Sequence, residues 1–231
     1  NDALQGKALA RQDKERALEQ FEIVLDGCEP EPFARGGQGT VHRAEFQGER
    51  VALKRMTLVG MNATKRSKVL KDFSTELAIM TTLRSPRCVS VFGVVTTDPT
   101  FLGLVVEYME GGDLRCHIEA PDYAARVDEA HKRRYLGDIA LGMQYLYSRH
   151  IEHRDLKTLN VLLDATRSRC KVTDFGLSKS EDLNTQATQA TSTGGNAKGT
   201  PAYMAPELLE SNTFTEKTDV YAFAIVIWEV L

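Results

Sequence analysis

The feature that most constrains the fold is a change of pattern near residue 107. Before it, short runs rich in β-branched and aromatic residues alternate with glycine and proline turns; beyond it, apolar residues recur at helical spacing. From residue 33 to 54 the chain reads as strand, tight glycine turn, strand, hairpin turn at Gln47-Gly48 and strand, and 89–95 and 102–106 read as two further strands around the Asp98-Pro99 turn, completing an antiparallel sheet of about five strands. One helix is expected between them, because Leu70, Phe73, Leu77 and Met80 share a helical face. In the second half Leu136, Ile139, Ala140, Met143, Leu146 and Tyr147 form one apolar stripe, so a long helix is expected over 128–149. Residues 218–229 are apolar nearly all round, the pattern of a helix buried inside a larger helical body. Strands first and helices after make the chain α+β, with its boundary at the glycine-bearing stretch 107–114.

Composition narrows the partners. The 231 residues are 42% hydrophobic and 26% charged, ordinary for a globular chain, and a net charge of -3 gives no bulk attraction to nucleic acid or anionic lipid. Cys28, Cys88, Cys116 and Cys170 are scattered with no C-x-x-C pair, which points away from zinc and toward a reducing compartment. No cationic and apolar leader opens the chain, and the longest apolar run, 220–228, is too short to span a bilayer. No membrane segment is expected, and the cytoplasm is the expected location. Residues 2–20 are rich in helix formers, but Leu4, Leu9 and Leu18 form no continuous stripe, so a solvated extension is expected there. A short strand or packing strip follows at 21–25.

The chemistry concentrates in His153, Arg154, Asp155, Leu156, Lys157, Thr158, Leu159 and Asn160, followed after a short apolar stretch by Asp174. An aspartate and an asparagine five positions apart, with a second aspartate further on, can set one carboxylate against a hydroxyl and two oxygen ligands around magnesium. Phosphoryl transfer needs that inventory. Upstream, Gly36 and Gly39 sit in a turn where backbone N–H groups can approach phosphate oxygens, and Lys54 ends a strand shortly after. Glu76 lies beside the buried face of the expected helix, where it can point at Lys54. His42, His117, His131 and His150 lack metal-ligand spacing and read as structural or surface residues.

Together these stretches resemble the eukaryotic protein kinase domain. The catalytic loop H-R-D-x-x-x-x-N is matched at His153, Arg154, Asp155 and Asn160, and D-F-G at Asp174, Phe175 and Gly176. The glycine loop is matched at Gly36, Gly39 and Val41, with Ala34 where the pattern has its first glycine, and V-A-I-K is matched by Val51, Ala52, Leu53 and Lys54. The resemblance implies a bilobal fold: an extension over 1–32, a small antiparallel-sheet N-lobe with one helix over 33–106, and a hinge with an incomplete, mainly helical C-lobe over 107–231. It implies ATP and Mg2+ as cofactors.

It also implies roles. Asp155 is the base, Lys157 neutralises charge on the moving phosphate, and Asn160 and Asp174 hold the metal. Lys54 holds the α- and β-phosphates with Glu76 as partner, and the Thr200 hydroxyl bonds to Asp155 and Lys157. Ala34, Gly36, Gly39, Val41, Ala52, Val106, Glu107, Met109 and Leu162 surround the nucleotide, Glu107 and Met109 through their backbone. Met80, Val91, His153 and Phe175 stack in a column anchored by Asp219, so His153 is read as packing rather than as an acid or base. Lys157 and residues 199–207 look closest to the tyrosine-kinase-like group, most of whose members act on serine or threonine. The expected activity is serine/threonine phosphorylation of protein substrates, with dual specificity open and a pseudokinase scaffold as the alternative. Phosphorylation of Thr188, Thr191, Ser192 or Thr193, by an upstream kinase or in trans, is expected to engage Arg154.

Overall fold

The computed structural model describes residues 18–36, 39–175, 201–211 and 214–231, which fall into two compact units, 18–83 with 90–108, and 84–89 with 109–175 and 201–231. The first unit is a six-stranded sheet built from β1 (Gly27–Cys28), β2 (Ala34–Gly36), β3 (Gly39–Phe46), β4 (Glu49–Thr57), β5 (Val91–Val95) and β6 (Phe101–Glu107). The order is β1-β3-β4-β6-β5, with β2 also paired to β3, and every pairing is antiparallel. Residues opposite one another across a ladder share a face. The register sets Ala44 against Val51 and Leu53 against Val105, and these four bury one face beneath Ile23, Leu25, Phe46 and Val95.

Residues 21–29 are stitched into this sheet. Ile23 N–H donates to Val94 O and Val94 N–H to Phe21 O, both at 2.9 Å, while Asp26 and Glu29 donate to Glu45 and Arg43 at 2.8 Å. The approach is so close at Gly93 that a Cβ there would lie 2.5 Å from Phe21 O. The helix α1 (Ala63–Met80) begins where Asn62 Oδ1 accepts from Lys65 N at 2.8 Å, and it buries Val69, Phe73, Leu77 and Met80. Val69, Phe73 and Leu77 are fully buried, each contributing about 1.5–3 kcal/mol of transfer free energy.

The second unit is mainly helical: α2 (Leu114–Ile118), α3 (Tyr123–Arg126), α4 (Glu129–Ser148), α5 (Pro206–Ser211) and α6 (Glu216–Val230), with a small antiparallel sheet of β7 (Gly112–Asp113), β8 (Val161–Leu163) and β9 (Cys170–Val172). α4 matches its expected span, with Asp128 as N-cap accepting from His131 N at 2.8 Å. Its buried face is rotated from the expected stripe: Tyr135, Asp138, Ile139, Gly142, Met143 and Leu146 are buried, whereas Ala140 is exposed. The cause is charge pairing and close approach. Asp138 accepts from Arg169 Nε and Nη2 at 2.9 and 2.8 Å and from Cys170 N at 3.2 Å, and Gly142 lies against Arg87 O and Val172.

α6 opens with a capping box between Thr215 and Thr218 and buries Asp219, Ala222, Val226 and Val230. Burial on all sides, expected from its composition, is met on one face; Val220 and Trp228 are 52% and 78% exposed. No helix among the described residues is long and apolar enough to cross a membrane.

Candidate active site

The loop 153–160 in the second unit hangs from α6. Asp219, 2% exposed, accepts the main-chain N–H of His153 at 2.7 Å on one oxygen and that of Arg154 at 2.9 Å on the other. Those bonds hold Arg154 at φ 67, a left-handed conformation that costs a non-glycine residue about 1–2 kcal/mol. His153 is fully buried. Its Nε2–H donates to Thr173 O at 3.0 Å and its Nδ1 accepts from Asp155 N–H at 3.3 Å, which fixes the neutral tautomer. Burial pushes its pKa down, in keeping with that state. Its ring meets Phe175 edge-on, centroids 6.4 Å apart. The histidine is a strut between loop and strand.

Asp155 projects from this strut. Its Oδ2 accepts from Lys157 Nζ at 2.7 Å and from Asn160 Nδ2 at 3.1 Å, and Asn160 Nδ2 also donates to Asp155 O at 2.7 Å. Asn160 itself ends the 3-10 turn Thr158–Asn160 and is 6% exposed. With its amide nitrogen spent on Asp155, the side chain keeps Oδ1 as an acceptor. Thr173 N–H donates to Asn160 O at 3.0 Å, tying the loop to the strand that leads to Asp174, which is held at φ 62. Arg154 donates from Nε and Nη2 to Glu152 Oε2 at 3.0 and 2.8 Å, and its guanidinium lies 5.3 Å from the Phe214 ring.

In the first unit the register brings another set together. Ala34 faces Val41, Val41 faces Lys54, and Ala52 faces Val106, so Ala34, Val41, Ala52, Lys54 and Val106 share the sheet face opposite the apolar cluster. Gly36 pairs with Gly39 at the end of this hairpin. Gly39 has φ 134, and a Cβ there would lie on Arg55 O, so the position admits only glycine. Glu107 turns its side chain away from this face, accepting from Ser90 N at 3.2 Å.

The sequence profile of the protein tyrosine and serine/threonine kinases matches residues 30–231. The chain belongs to this family. It is similar to the serine/threonine-protein kinase CTR1 of Arabidopsis thaliana, 35% identical over 225 residues, which are 95% of this chain and 26% of that protein. The serine/threonine/tyrosine-protein kinase HT1 of the same plant is 35% identical over 86% of this chain and 48% of its own length. The dual specificity protein kinase shkA of Dictyostelium discoideum is 36% identical over 84% of this chain and 35% of its own length. The chain thus spans about a quarter to a half of the length of these three relatives.

Within this kinase-family chain, the second unit brings Asp155, Lys157 and Asn160 into one hydrogen-bonded group, and the first gathers Ala34, Val41, Ala52, Lys54 and Val106 on one face. Leu162, on β8, is opposite Asp113 and Lys171, and Met109 O accepts from Gly112 N at 3.4 Å. The Glu76 side chain and Thr200 lie outside the described residues, as do Gly176 and the loop threonines, so the Lys54–Glu76 pair and the Thr200 bond do as well. Sequence reasoning passed over Glu152, Thr158, Tyr203 and Glu229, which bond around the loop 153–160. For Glu229 the signal was present: it is a carboxylate directly after the apolar run 220–228.

Proposed function

We propose that the protein is an ATP-dependent protein kinase that transfers the γ-phosphoryl group of ATP to serine or threonine hydroxyls of protein substrates. The observation that carries the reading is the hydrogen-bonded group at Asp155. Its Oδ2 is occupied by Lys157 and Asn160, which leaves Oδ1 to receive the substrate hydroxyl. The hydroxyl proton passes to Oδ1 as the O–P bond forms and the bond from γ-phosphorus to the bridging oxygen of ADP breaks. Lys157, beside Asp155, offsets the charge on the moving phosphoryl group. Asn160 Oδ1 and the Asp174 carboxylate are hard oxygen donors that suit Mg2+, and Lys54 takes the α- and β-phosphates with Glu76 as partner. Asn160 and Asp174 would hold the metal, which would supply positive charge to offset that of the phosphates.

Ala34, Gly36, Gly39, Val41, Ala52, Val106, Glu107, Met109 and Leu162 are assigned to the nucleotide and Thr200 to Asp155 and Lys157. Serine and threonine are favoured by Lys157 and by the names of the relatives, one of which is a serine/threonine/tyrosine kinase and one a dual specificity kinase. Four free cysteines, Cys88 and Cys170 buried among them, favour the cytoplasm. An upstream kinase or a second copy acting on Thr188, Thr191, Ser192 or Thr193 is the proposed activator.

The test is phosphoamino-acid analysis of a generic protein substrate after incubation with the full chain and Mg-ATP. Phosphoserine or phosphothreonine that is lost with Lys157→Met supports the reading. Phosphate on tyrosine alone overturns the residue class. Binding of Mg-ATP without transfer overturns the activity in favour of a scaffold.

A further inference from the structure

The second unit holds a largely buried carboxylate that the proposed chemistry leaves unused. Glu229 lies on α6 beyond Asp219, its side chain 10% exposed, and gathers donors from three separate stretches of chain. Thr158 Oγ1 donates to Oε2 at 2.9 Å, Tyr203 OH donates to the same oxygen at 2.6 Å, and Arg115 Nη1 donates to Oε1. Thr158 is fully buried inside the catalytic loop, two residues before Asn160. Both hydroxyls spend their single proton on Glu229, and their oxygens lie 3.2 Å apart. Burial and the bond to Glu229 push the Tyr203 phenol upward, so its proton stays in place.

α6 therefore grips the catalytic loop at two points. Asp219 holds the N–H groups of His153 and Arg154, and Glu229 holds Thr158, about 15 Å further along the helix at its ordinary rise. Asp155 lies between the two points in sequence. The first grip fixes where the loop starts; a loop held there alone can still swing the turn that carries Lys157 and Asn160. The second grip, together with the Thr173 N–H bond to Asn160 O, restrains that turn.

We infer that Thr158 and Glu229 form a positioning pair for the proposed phosphoryl transfer: by holding the Thr158 hydroxyl, Glu229 keeps Lys157 and Asn160 on Asp155. The inference rests on the kinase reading, and neither residue touches substrate in it. A hydrogen bond that only stabilises the fold changes the melting temperature. A positioning bond also changes kcat while leaving the KM for ATP near its starting value.

The test uses the full chain with Thr158→Val, Thr158→Ser, Glu229→Gln and the Thr158→Val/Glu229→Gln double variant. Thr158→Val is expected to lower kcat about ten- to a hundredfold, the range set by small misplacements of reacting groups, with KM for ATP changed less than about twofold. Thr158→Ser, which keeps the donor, restores most of kcat, and the double variant is no slower than the slower single one. Near-normal kcat in Thr158→Val, equal losses in the serine and valine variants, or losses that multiply in the double variant overturn the pairing. Should Thr158→Val fail to fold, Glu229→Gln decides: reduced kcat at unchanged KM supports the pair and unchanged kcat overturns it. If the unaltered chain transfers no phosphate, the kinase reading is what has failed. The pair is then judged by amide hydrogen exchange at 155–160, faster in Thr158→Val and Glu229→Gln but not in Thr158→Ser if it holds, and unchanged if it does not.

Discussion

Replacing Asp219 by asparagine puts the suspension of the loop 153–160 to a quantitative test. The carboxylate meets two main-chain N–H donors, at 2.7 and 2.9 Å, with one oxygen each. An amide there offers one acceptor and sets its NH2 group against the second donor. Each hydrogen bond to a charged group is worth about 1.5–3 kcal/mol, so two outweigh the roughly 1–2 kcal/mol that the left-handed Arg154 costs, and one only balances it. Asp219→Asn is therefore expected to destabilise the protein by about 2–4 kcal/mol, lowering Tm by about 5–12 °C for a chain of this size. Amide exchange at His153 and Arg154 should quicken about thirtyfold or more, since each 1.4 kcal/mol is about a factor of ten. Adding Arg154→Gly should recover about 1 kcal/mol, because glycine takes positive φ freely. An Asp219→Asn protein with unaltered Tm and unaltered protection at those two amides would refute the reasoning.

Other sites carry tests of their own. Asp138→Ala leaves Arg169, the Cys170 N–H and Arg87, whose Nε lies 2.9 Å from Oδ1 though off the hydrogen-bond line, without their anion, and should cost about 3–5 kcal/mol in urea unfolding; a neutral result contradicts it. Gly93→Ala places a Cβ 2.5 Å from Phe21 O and 2.8 Å from Ile23 Cγ2, so exchange should quicken at 21–25 while α4 is unaffected; uniform protection counts against that. His117 is 6% exposed with Nδ1 unpartnered among the described residues, and burial holds its pKa below the ordinary 6.5. The folded protein takes up that proton at lower pH than the unfolded chain, so the stability is full above about pH 6.5 and is lost as pH falls through the folded-state value. His117→Phe should flatten this acid limb in urea midpoints measured between about pH 7 and 5; an unchanged slope contradicts the assignment.

Much of the architecture was legible because it rests on local rules. The β3–β4 hairpin follows from alternation and a Gln47-Gly48 turn, and α4 from a stripe bounded by Asp128. Asp155, Lys157 and Asn160 were legible as a group because they lie close in sequence, in a pattern that resembles the kinase motif, and the structure joins them by hydrogen bonds. What escaped depends on partners distant in sequence. The inward turn of Asp138 is set by Arg169 and Cys170, residues on β9 and beside it, which no periodicity in α4 reveals. Residues 21–25 read as a short strand or packing strip before the domain, and the part that 21–29 play in the sheet rests on backbone bonds to Val94, Glu45 and Arg43 that leave little side-chain signature. Glu229 was passed over because its meaning needs Thr158, Tyr203 and Arg115 in place around it.

The most direct test of the central claim is intact-mass measurement of phosphate incorporated from Mg-ATP into the chain and a generic protein substrate, comparing the unaltered protein with Asp155→Asn. The account expects incorporation that falls about 10²–10⁴-fold in the variant, the range of a lost general base. Equal incorporation by the two proteins would contradict it.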